Sequence, residues 1–386
     1  MTLLDDARAA LGTGPICDNC LGRLVADRSF GLTNAERGKA LRVAVALADD
    51  ADYAAPDPAD CWVCEGVCAE FDEWAERAVD ALDGIAFDTY QVGTRVPPLL
   101  EENDALLRAE IGSDEDAGEL LKSEVNREVG RRLGQRTGTE VDFTRPDVQL
   151  LLDLTTGEVE VQINSVAVYG RYRKLERDIP QTEWPCSDCG GTGRVTNGPC
   201  PACDGTGYRY PTSVEQEVAP TLCTALRGTE ALFHGAGRED VDALMLGTGR
   251  PFVVEVKNPH RRDLDLDAVE REINEQADGV EVEGLRFATY EMVERVKELD
   301  ASKTYRMDVA FDEPVAAADL DAALDALRGT TVEQRTPTRV DHRRADLVRE
   351  RTVYDVSGHL VDETRAELEV HGEGGLYVKE LVSGDE

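Results

Sequence analysis

A short run in the second half of the chain combines residue types that could carry out nucleophilic or acid–base chemistry. In Gly237-Arg238-Glu239-Asp240, an aspartate follows a glycine turn and an arginine and leads into a strand-like run. A carboxylate that a nearby cation keeps ionised can be aimed at a substrate. The same tetrapeptide is also typical of a solvated turn with an ordinary ion pair, so the rest of the chain must decide between the two interpretations.

Eight of the ten cysteines form Cys-x2-Cys pairs, the spacing with which proteins bind zinc in closed tetrahedral sites. The first set is Cys17, Cys20, Cys61 and Cys64. Cys68 lies one helical turn after Cys64 and could replace it, but we interpret Cys68 as a spare buried thiol. A tighter set repeats Cys-x2-Cys-x-Gly-x-Gly with ten residues between the pairs: Cys186, Cys189, Cys200 and Cys203.

Four thiolates leave no open position for substrate, so we expect the metal, one or two Zn²⁺ ions, to be structural and expect no catalytic cofactor. The glycines of the second set permit the close backbone approach that directs N–H groups at sulfur. The same doubled motif occurs in DnaJ-type chaperones, so a chaperone-like role is a rival. The four repeats and the His-Pro-Asp hairpin of those chaperones are absent from this sequence.

Composition indicates a folded, acidic protein. The 386 residues are 41% hydrophobic and carry a formal charge of −36, and arginine far outnumbers lysine. Because the acidic residues are spread through amphipathic segments, we interpret the charge as the surface of a protein from a salt-loving archaeon. The sequence shows no basic, apolar leader and no apolar run of membrane-spanning length. We therefore expect a cytoplasmic protein without membrane contact.

The spacing of apolar residues predicts a mixed α/β region after the first cysteine set. Helices are expected at 69–82, 99–111 and 119–133, and strands at 148–154 and 159–168. This region ends in the basic segment Tyr169–Arg177, in which tyrosines alternate with cations. Basic residues among aromatic rings suit contact with an RNA backbone and stacking on bases, so Arg171, Arg173 and Lys174 are candidate RNA-binding residues. An amphipathic strand with exposed basic ends is the alternative.

From Pro211 onward the pattern predicts an α+β region, a mostly antiparallel sheet with helices on one face. Helices are expected at 266–276, 290–299 and 316–327, and strands at 231–233, 242–246, 252–255, 305–310, 347–356, 367–370 and 376–381. Six arginines against three acidic residues make 335–351 a second basic segment. Arginines on a loop beside a cleft suit phosphates, and a loop laced with ion pairs is the alternative. The candidate RNA-binding residues there are Arg335, Arg339, Arg343 and Arg344.

These motifs together resemble the archaeal and eukaryotic Pus-ten (Pus10) family of tRNA pseudouridine synthases. The likeness is carried by GREDVDALMLGTGRPFVVEVKNPHR, KTYRMDV, QRTPTRVDHRR and GGLYVKELVSGD, in this order after the cysteine pairs. It implies four parts: a zinc-binding module (1–70), a THUMP-type accessory RNA-binding domain (71–182), a four-cysteine zinc knuckle (183–210) and a catalytic domain (211–386). It also implies a further segment after Gly384-Asp385, whereas this chain ends at Glu386, so either the sequence or the natural protein is shortened.

The resemblance implies that the substrate is tRNA, isomerised at uridines 54 and 55 of the T arm, and that Asp240 is the nucleophile. Tyr305 would stack on the target base, Lys379 would be the basic partner of the aspartate, and Leu381 would pack beneath the base. Arg238 would be a second cation beside Asp240. Attack at C1′ of the ribose or at C6 of the base is left open, as is modification of one or both uridines.

The stacked uridine must be extruded from the tRNA elbow, which costs unstacking free energy. Contacts elsewhere on the tRNA must offset this free energy, so we expect the N-terminal region and the basic segments to bind the tRNA. No obligatory protein partner is expected. A THUMP-bearing methyltransferase or thiolase is disfavoured, because the sequence has no S-adenosylmethionine glycine loop and no PP-loop. A non-catalytic, zinc-containing tRNA-binding or chaperone-like protein is the remaining alternative.

Overall fold

Three four-stranded sheets and one short hairpin organise the described part of the chain. The computed structural model describes residues 2–114, 117–298, 301–338 and 347–384. The chain divides into two compact units. Unit one comprises residues 1–234 and 239–293, and unit two comprises residues 235–238 and 294–386.

Unit one begins with helices that surround the first cysteine set. They are α1 (Leu3–Gly12), α2 (Asp18–Arg23), α3 (Asn34–Ala48) and α4 (Phe71–Ala81), with 3-10 turns at Pro58–Asp60 and Val67–Ala69. Thr2 and Thr33 each close a capping box at the start of α1 and α3. The capping residues satisfy N–H groups that would otherwise lack partners, which fixes where these helices begin.

The first sheet has the order β2-β1-β3-β4, and β1 is parallel to both β2 and β3. Its elements are β1 (Thr89–Arg95), α5 (Pro98–Glu110), α6 (Leu121–Thr137), β2 (Glu140–Val141), β3 (Val148–Asp153) and β4 (Glu158–Ile163). Val125, Val129 and Leu133 are fully buried along one face of α6, as the helical spacing predicts. The hydroxyl of Tyr90 on β1 donates to the Gly130 carbonyl of α6 at 2.7 Å.

The second sheet has the order β10-β5-β9-β8. Its strands are β5 (Val166–Lys174), β8 (Glu230–Gly235), β9 (Met245–Lys257) and β10 (Val280–Ala288), with helices α7 (Val214–Ala225) and α8 (Leu266–Gln276). Buried residues of α7 and α8, such as Leu222 and Ile273, pack in one core with Phe252 and Val254 of β9.

The single strand predicted at 159–168 is wrong. The chain breaks between Ile163 and Val166, so that β4 stays in the first sheet and β5 becomes an inner strand of the second. The apolar alternation continues across the break, which conceals it in the sequence. The predicted accessory domain, 71–182, therefore includes a strand that belongs to the sheet of the following region.

The second cysteine set lies on a small hairpin of strands β6 (Arg194–Val195) and β7 (Gly198–Pro199). Unit two contains the third sheet, antiparallel throughout, in the order β11-β14-β13-β12. Its strands are β11 (Lys303–Ala310), β12 (Thr331–Arg335), β13 (Val348–Asp362) and β14 (Arg365–Gly372). Three further helices of the described residues are α9 (Tyr290–Glu298), α10 (Ala317–Leu327) and α11 (Val378–Ser383).

The core of unit two joins Leu320 and Leu324 of α10 to Val356 and Val370 of the sheet. The strand predicted at 376–381 is wrong, because this segment forms the short helix α11. Among the described residues, no helix is both long and apolar enough to cross a membrane.

Candidate active site and cysteine clusters

The loop that carries Asp240 follows β8 and turns at Gly237, whose φ of +71° lies in the left-handed region that glycine favours. Arg238 is exposed and belongs to unit two, whereas Asp240 is half-buried and belongs to unit one. The Asp240 carbonyl accepts the Ala243 N–H at 3.1 Å. The next carbonyl, that of Val241, accepts the Asp178 N–H at 2.9 Å. The candidate nucleophile therefore stands on a hydrogen-bonded backbone.

The residue before Asp240 anchors the loop in the core of unit one. Glu239 accepts hydrogen bonds from the Tyr172 hydroxyl at 2.8 and 2.9 Å to its two oxygens, and its carboxylate lies 2.9 Å from Nε of Arg250. The side chains of Glu239 and Arg250 are only 5% and 6% exposed. Gln181 donates to the Tyr172 hydroxyl at 2.9 Å. Burial, with the charge of Glu239, raises the pKa of Tyr172 well above its usual range, so the phenol stays a donor.

The structure corrects the prediction that Lys174 binds RNA. Its side chain is fully buried, and Nζ donates to the carbonyls of Ile179 and Val241 at 2.9 Å and of Asp240 at 3.3 Å. All three donors of the ammonium group thus have acceptors inside the protein. An ammonium group held in this way does not reach an RNA phosphate.

The neighbouring arginines of β5 are also engaged within the protein. Arg171 donates to the carbonyls of Thr248 and Gly249 at 2.5 and 2.7 Å. Arg173 pairs with Glu281 and Glu283 of β10 at 3.1 and 3.0 Å. These contacts explain much of the basic segment as support for the second sheet, and RNA binding by Arg171 and Arg173 stays a prediction.

Three further predicted residues lie in unit two. Tyr305 on β11 pairs in register with Val370, which in turn pairs with Val356. Residues directly opposite each other in a sheet share a face, so Tyr305 lies on the face that forms the core of unit two. Leu381, on α11, packs against the same core, and Lys379 of α11 is exposed. Tyr305 thus lies on the third sheet, and Lys379 and Leu381 lie on α11, which packs against the core of that sheet. That these three side chains approach Asp240 stays a prediction.

A buried glutamine fixes the start of α11. Gln334, on β12, is 9% exposed; its amide donates to the Tyr377 carbonyl at 3.0 Å and accepts the Tyr377 N–H at 2.9 Å. This pair of hydrogen bonds to one residue's backbone sets the position from which the helix carrying Lys379 and Leu381 begins. Gln334 was not singled out in the sequence, where a lone glutamine between charged residues gives no signal.

Replacement of Gln334 by Leu is expected to lower turnover by about tenfold, because the segment that presents Lys379 loses both anchors while the core keeps its volume. Single-turnover kinetics with a tRNA substrate measures the effect. Glu333→Leu, on the exposed adjacent position of β12, serves as the control. Equal rates for the two variants would contradict a positioning role for Gln334.

The second basic segment is only partly described. Arg335 ends β12 and is exposed. Arg339, Arg343 and Arg344 lie outside the described residues. Their contact with RNA therefore stays a prediction.

The first cysteine cluster differs from the predicted ligand set. In it, four buried sulfur atoms lie within 4.8 Å of one another and could hold a metal ion; they belong to Cys17, Cys20, Cys64 and Cys68. Cys68 was predicted to be a spare thiol, and here it replaces Cys61 as the fourth member. Cys61 is buried next to the group, and contact with Cys17 helps to lower its pKa to about 7.

A fully buried arginine accompanies this cluster. Arg23 donates to Sγ of Cys20 at 3.2 Å and pairs with Asp104 at 2.7 Å and Glu124 at 3.2 Å. A cation beside the sulfurs favours thiolates, and carboxylates on its other side hold it in place. Contact with Cys17 lowers the pKa of Cys64 to about 4, which also favours a thiolate.

The second cluster matches the predicted set. The sulfurs of Cys186, Cys189, Cys200 and Cys203 lie within 4.8 Å of one another. The N–H groups of Gly193 and Gly207 point at Cys189 and Cys203, at 3.3 and 3.2 Å. These bonds are the glycine-dependent contacts that the sequence predicts, and both clusters can hold a metal ion in an all-sulfur environment.

Gly207 tests the packing of this knuckle. A Cβ there would lie 2.4 Å from the Gly191 carbonyl oxygen, and φ is +87°. Gly207→Ala is therefore expected to lower metal affinity by about 10–100-fold. Gly190→Ala is the matched control, since φ there is +62° but a Cβ meets nothing within 4 Å. Chelator competition measures both, and equal affinities would contradict the packing argument.

The residues that sequence reasoning missed are the buried supports of the two loops. Tyr172, Glu239, Arg250 and Gln334 are polar or charged, and the sequence does not predict that their side chains support the loop of Asp240 or the start of α11. Glu239 and Gln334 lie within the motifs GRED and QRTPTR, Arg250 lies ten residues after GRED, and Tyr172 lies in the basic segment Tyr169–Arg177. Burial, which the sequence does not display for polar residues, distinguishes them.

Comparison with known proteins identifies the family. Residues 167–386 match the family model "Pus10, C-terminal", and residues 74–153 match "Pus10 THUMP domain, archaeal". The protein named tRNA pseudouridine synthase Pus10 of Halorubrum lacusprofundi is 64% identical over 100% of this chain and 91% of its own length. Its namesakes from Methanothrix thermoacetophila and Pyrococcus furiosus are 44% and 38% identical, each over 99% of this chain and over 88% and 91% of their own lengths.

A chain of a solved Cbf5-Nop10-Gar1 complex is similar over 44% of this protein and 38% of its own length, with 16% identity and a TM-score of 0.28. The family models and relatives define the class of this protein as an RNA-modifying isomerase, a pseudouridine synthase. Within that class, the chain belongs to the Pus10 family.

Proposed function

We propose that this protein isomerises uridine to pseudouridine in the T arm of tRNA, at positions 54 and 55, with Asp240 as the nucleophile. The observation that carries the proposal is the placement of Asp240. In a chain of the Pus10 family, the aspartate of the GRED motif stands on a loop whose backbone and preceding side chain are held by buried groups of unit one. A carboxylate held in this way suits nucleophilic attack.

The reaction breaks the C1′–N1 bond, turns the uracil and forms a C1′–C5 bond; C5 loses its proton and N1 gains one, so the composition does not change. Attack by the carboxylate of Asp240 at C1′, or at C6 of the base, gives an intermediate that keeps the uracil in the pocket. Tyr305 confines the ring by stacking and Leu381 by apolar contact. Lys379 and Arg238 supply positive charge that favours the carboxylate. No step requires a redox partner or a nucleotide.

The remaining parts of the chain suit tRNA binding and structural metal. The THUMP region and the zinc-type clusters would grip the substrate away from the reacting base, which offsets the unstacking of the target uridine. Zinc fits both cysteine groups, because four sulfur ligands form a closed tetrahedral site. In that role the metal stabilises the fold and takes no part in the chemistry. A cytoplasmic location and a salt-rich habitat are consistent with the composition.

The experiment uses tRNA transcripts that lack modification. Purified protein is incubated with a wild-type transcript and with transcripts in which uridine 54, uridine 55 or both are replaced by cytidine, and pseudouridine is mapped by carbodiimide primer extension. We expect product at the T-arm uridines that remain, and none in the doubly replaced transcript. Product confined to other regions of the tRNA would contradict the T-arm assignment, and tRNA binding without product would favour a non-catalytic role.

A further inference from the structure

The ammonium group of Lys174 lies against the peptide groups that carry Asp240. Its three hydrogen bonds go to the carbonyls of Asp240, Val241 and Ile179, at 3.3, 2.9 and 2.9 Å. The first two belong to the loop of the candidate nucleophile, and the third to the turn that follows β5. One buried cation therefore joins the end of an inner strand to the loop.

A buried lysine is costly, which makes this position informative. Transfer of an ammonium group from water is unfavourable unless every donor finds an acceptor, and an apolar side chain of similar volume fills such a space at lower cost. Burial lowers the pKa of Lys174, and the charges of Glu239, Asp242 and Asp178 oppose that shift. The acidic groups thus help to keep the Lys174 ammonium group charged, so that it can donate all three hydrogen bonds.

The loop is also held by a second set of contacts. Tyr172 lies two residues before Lys174 on β5, and its hydroxyl bonds both carboxylate oxygens of Glu239. Arg250 on β9 pairs with the same carboxylate. After β5, the Asp178 N–H donates to the Val241 carbonyl, and Arg177 donates to the Asp242 carbonyl. Residues 239–242 are each bonded to β5, the turn after it, or β9.

We propose that Lys174 is a positioning residue of the pseudouridine synthase reaction. By binding the carbonyls of Asp240 and Val241, Lys174 fixes the position and orientation of the Asp240 backbone. The backbone in turn determines where the Asp240 carboxylate points. The inference rests on the proposed role of Asp240. Nucleophilic attack depends on near-attack geometry, so a shift of about 1 Å in this loop costs up to about 10²-fold in rate. Tyr172 holds the same loop through the carboxylate of Glu239.

The test is Lys174→Met, which keeps the length and apolar volume of the side chain and removes its donors. We expect the single-turnover rate constant, measured with saturating enzyme and T-arm-unmodified tRNA, to fall about 10–100-fold. Affinity for tRNA, measured by filter binding, should stay within about twofold. Lys257→Met, the same change at a lysine of β9 whose ammonium group pairs with Glu255, is the control and should leave both quantities unchanged.

A merely structural role predicts a different pattern. Thermal unfolding locates the range in which the variant is folded, and rates are compared only there. The variants Asp240→Asn and Asp240→Asn/Lys174→Met are then compared for tRNA binding, and equal affinities show that Lys174 does not act on tRNA binding. If Lys174→Met does not fold, Tyr172→Phe decides, because it removes only the hydroxyl that binds Glu239, and we expect a loss of rate of about tenfold.

A rate within twofold of wild type in folded Lys174→Met, or in Tyr172→Phe where Lys174→Met does not fold, would overturn the inference. So would a loss of rate fully matched by a loss of tRNA affinity. Failure of the proposed function has a separate signature, since full activity of Asp240→Asn removes Asp240 as nucleophile whatever Lys174 does. Inactive Asp240→Asn with fully active, folded Lys174→Met rejects the positioning role alone.

Discussion

Asp240→Asn is expected to lower the rate of pseudouridine formation by at least about 10³-fold while leaving tRNA binding within about twofold of wild type. The amide of asparagine has nearly the size and shape of the carboxylate, but it is not a nucleophile. The substitution is therefore expected to lower the rate of the chemical step and not the affinity for tRNA. Single-turnover kinetics with mapped product, together with filter binding, separates the two quantities.

Asp242→Asn is the matched control for this variant. Asp242 is exposed, lies two residues away on the same loop, and loses the same charge on substitution. We expect its rate to stay within about threefold of wild type. Comparable losses in both variants would point to the general charge of the loop and not to a nucleophile at position 240.

Cys20→Ser and Cys203→Ser are each expected to remove one metal equivalent and to destabilise the region around the affected cluster by several kcal/mol. The reason is that a structural metal contributes its binding free energy to folding. Metal content is measured by elemental analysis, and stability by thermal unfolding and limited proteolysis. The loss of turnover should follow the loss of folded protein, because the metal takes no part in the reaction.

The controls for the metal prediction come from the remaining cysteines. Cys223 lies outside both four-cysteine groups, and Cys223→Ser should retain the full metal content. Cys61→Ser and Cys68→Ser form a matched pair at the first cluster. The structure predicts that Cys68→Ser loses metal and Cys61→Ser keeps it, and the reverse would restore the ligand set that the Cys-x2-Cys spacing predicts.

The sequence predicts the helices well where apolar residues recur over several turns. The prediction at 266–276 coincides with α8, and that at 316–327 differs from α10 by one residue. It fails at α11, where Leu376, Val378 and Leu381 read as a strand. The helix begins there because of a tertiary contact, the hold of Gln334 on Tyr377, that local pattern does not contain.

The sequence predicts the motifs of the candidate site but not the buried side chains that hold those motifs in place. GRED and KTYR are continuous in sequence, so Asp240 and Tyr305 could be named without a structure. Lys174 is predicted to bind RNA because it lies among basic and aromatic residues, and its burial depends on acceptors sixty-six and sixty-seven residues away. Cys68 entered the first cluster for a similar reason, since spacing along the chain does not reveal which sulfurs converge.

The most direct test of nucleophilic isomerisation by Asp240 is tritium release from tRNA labelled at C5 of uridine. Formation of the C1′–C5 bond expels the C5 hydrogen, so each pseudouridine liberates one label into water. The wild-type protein should release label in step with the pseudouridine mapped in the T arm, and Asp240→Asn should release none above background. Release by Asp240→Asn at the wild-type rate would contradict the account.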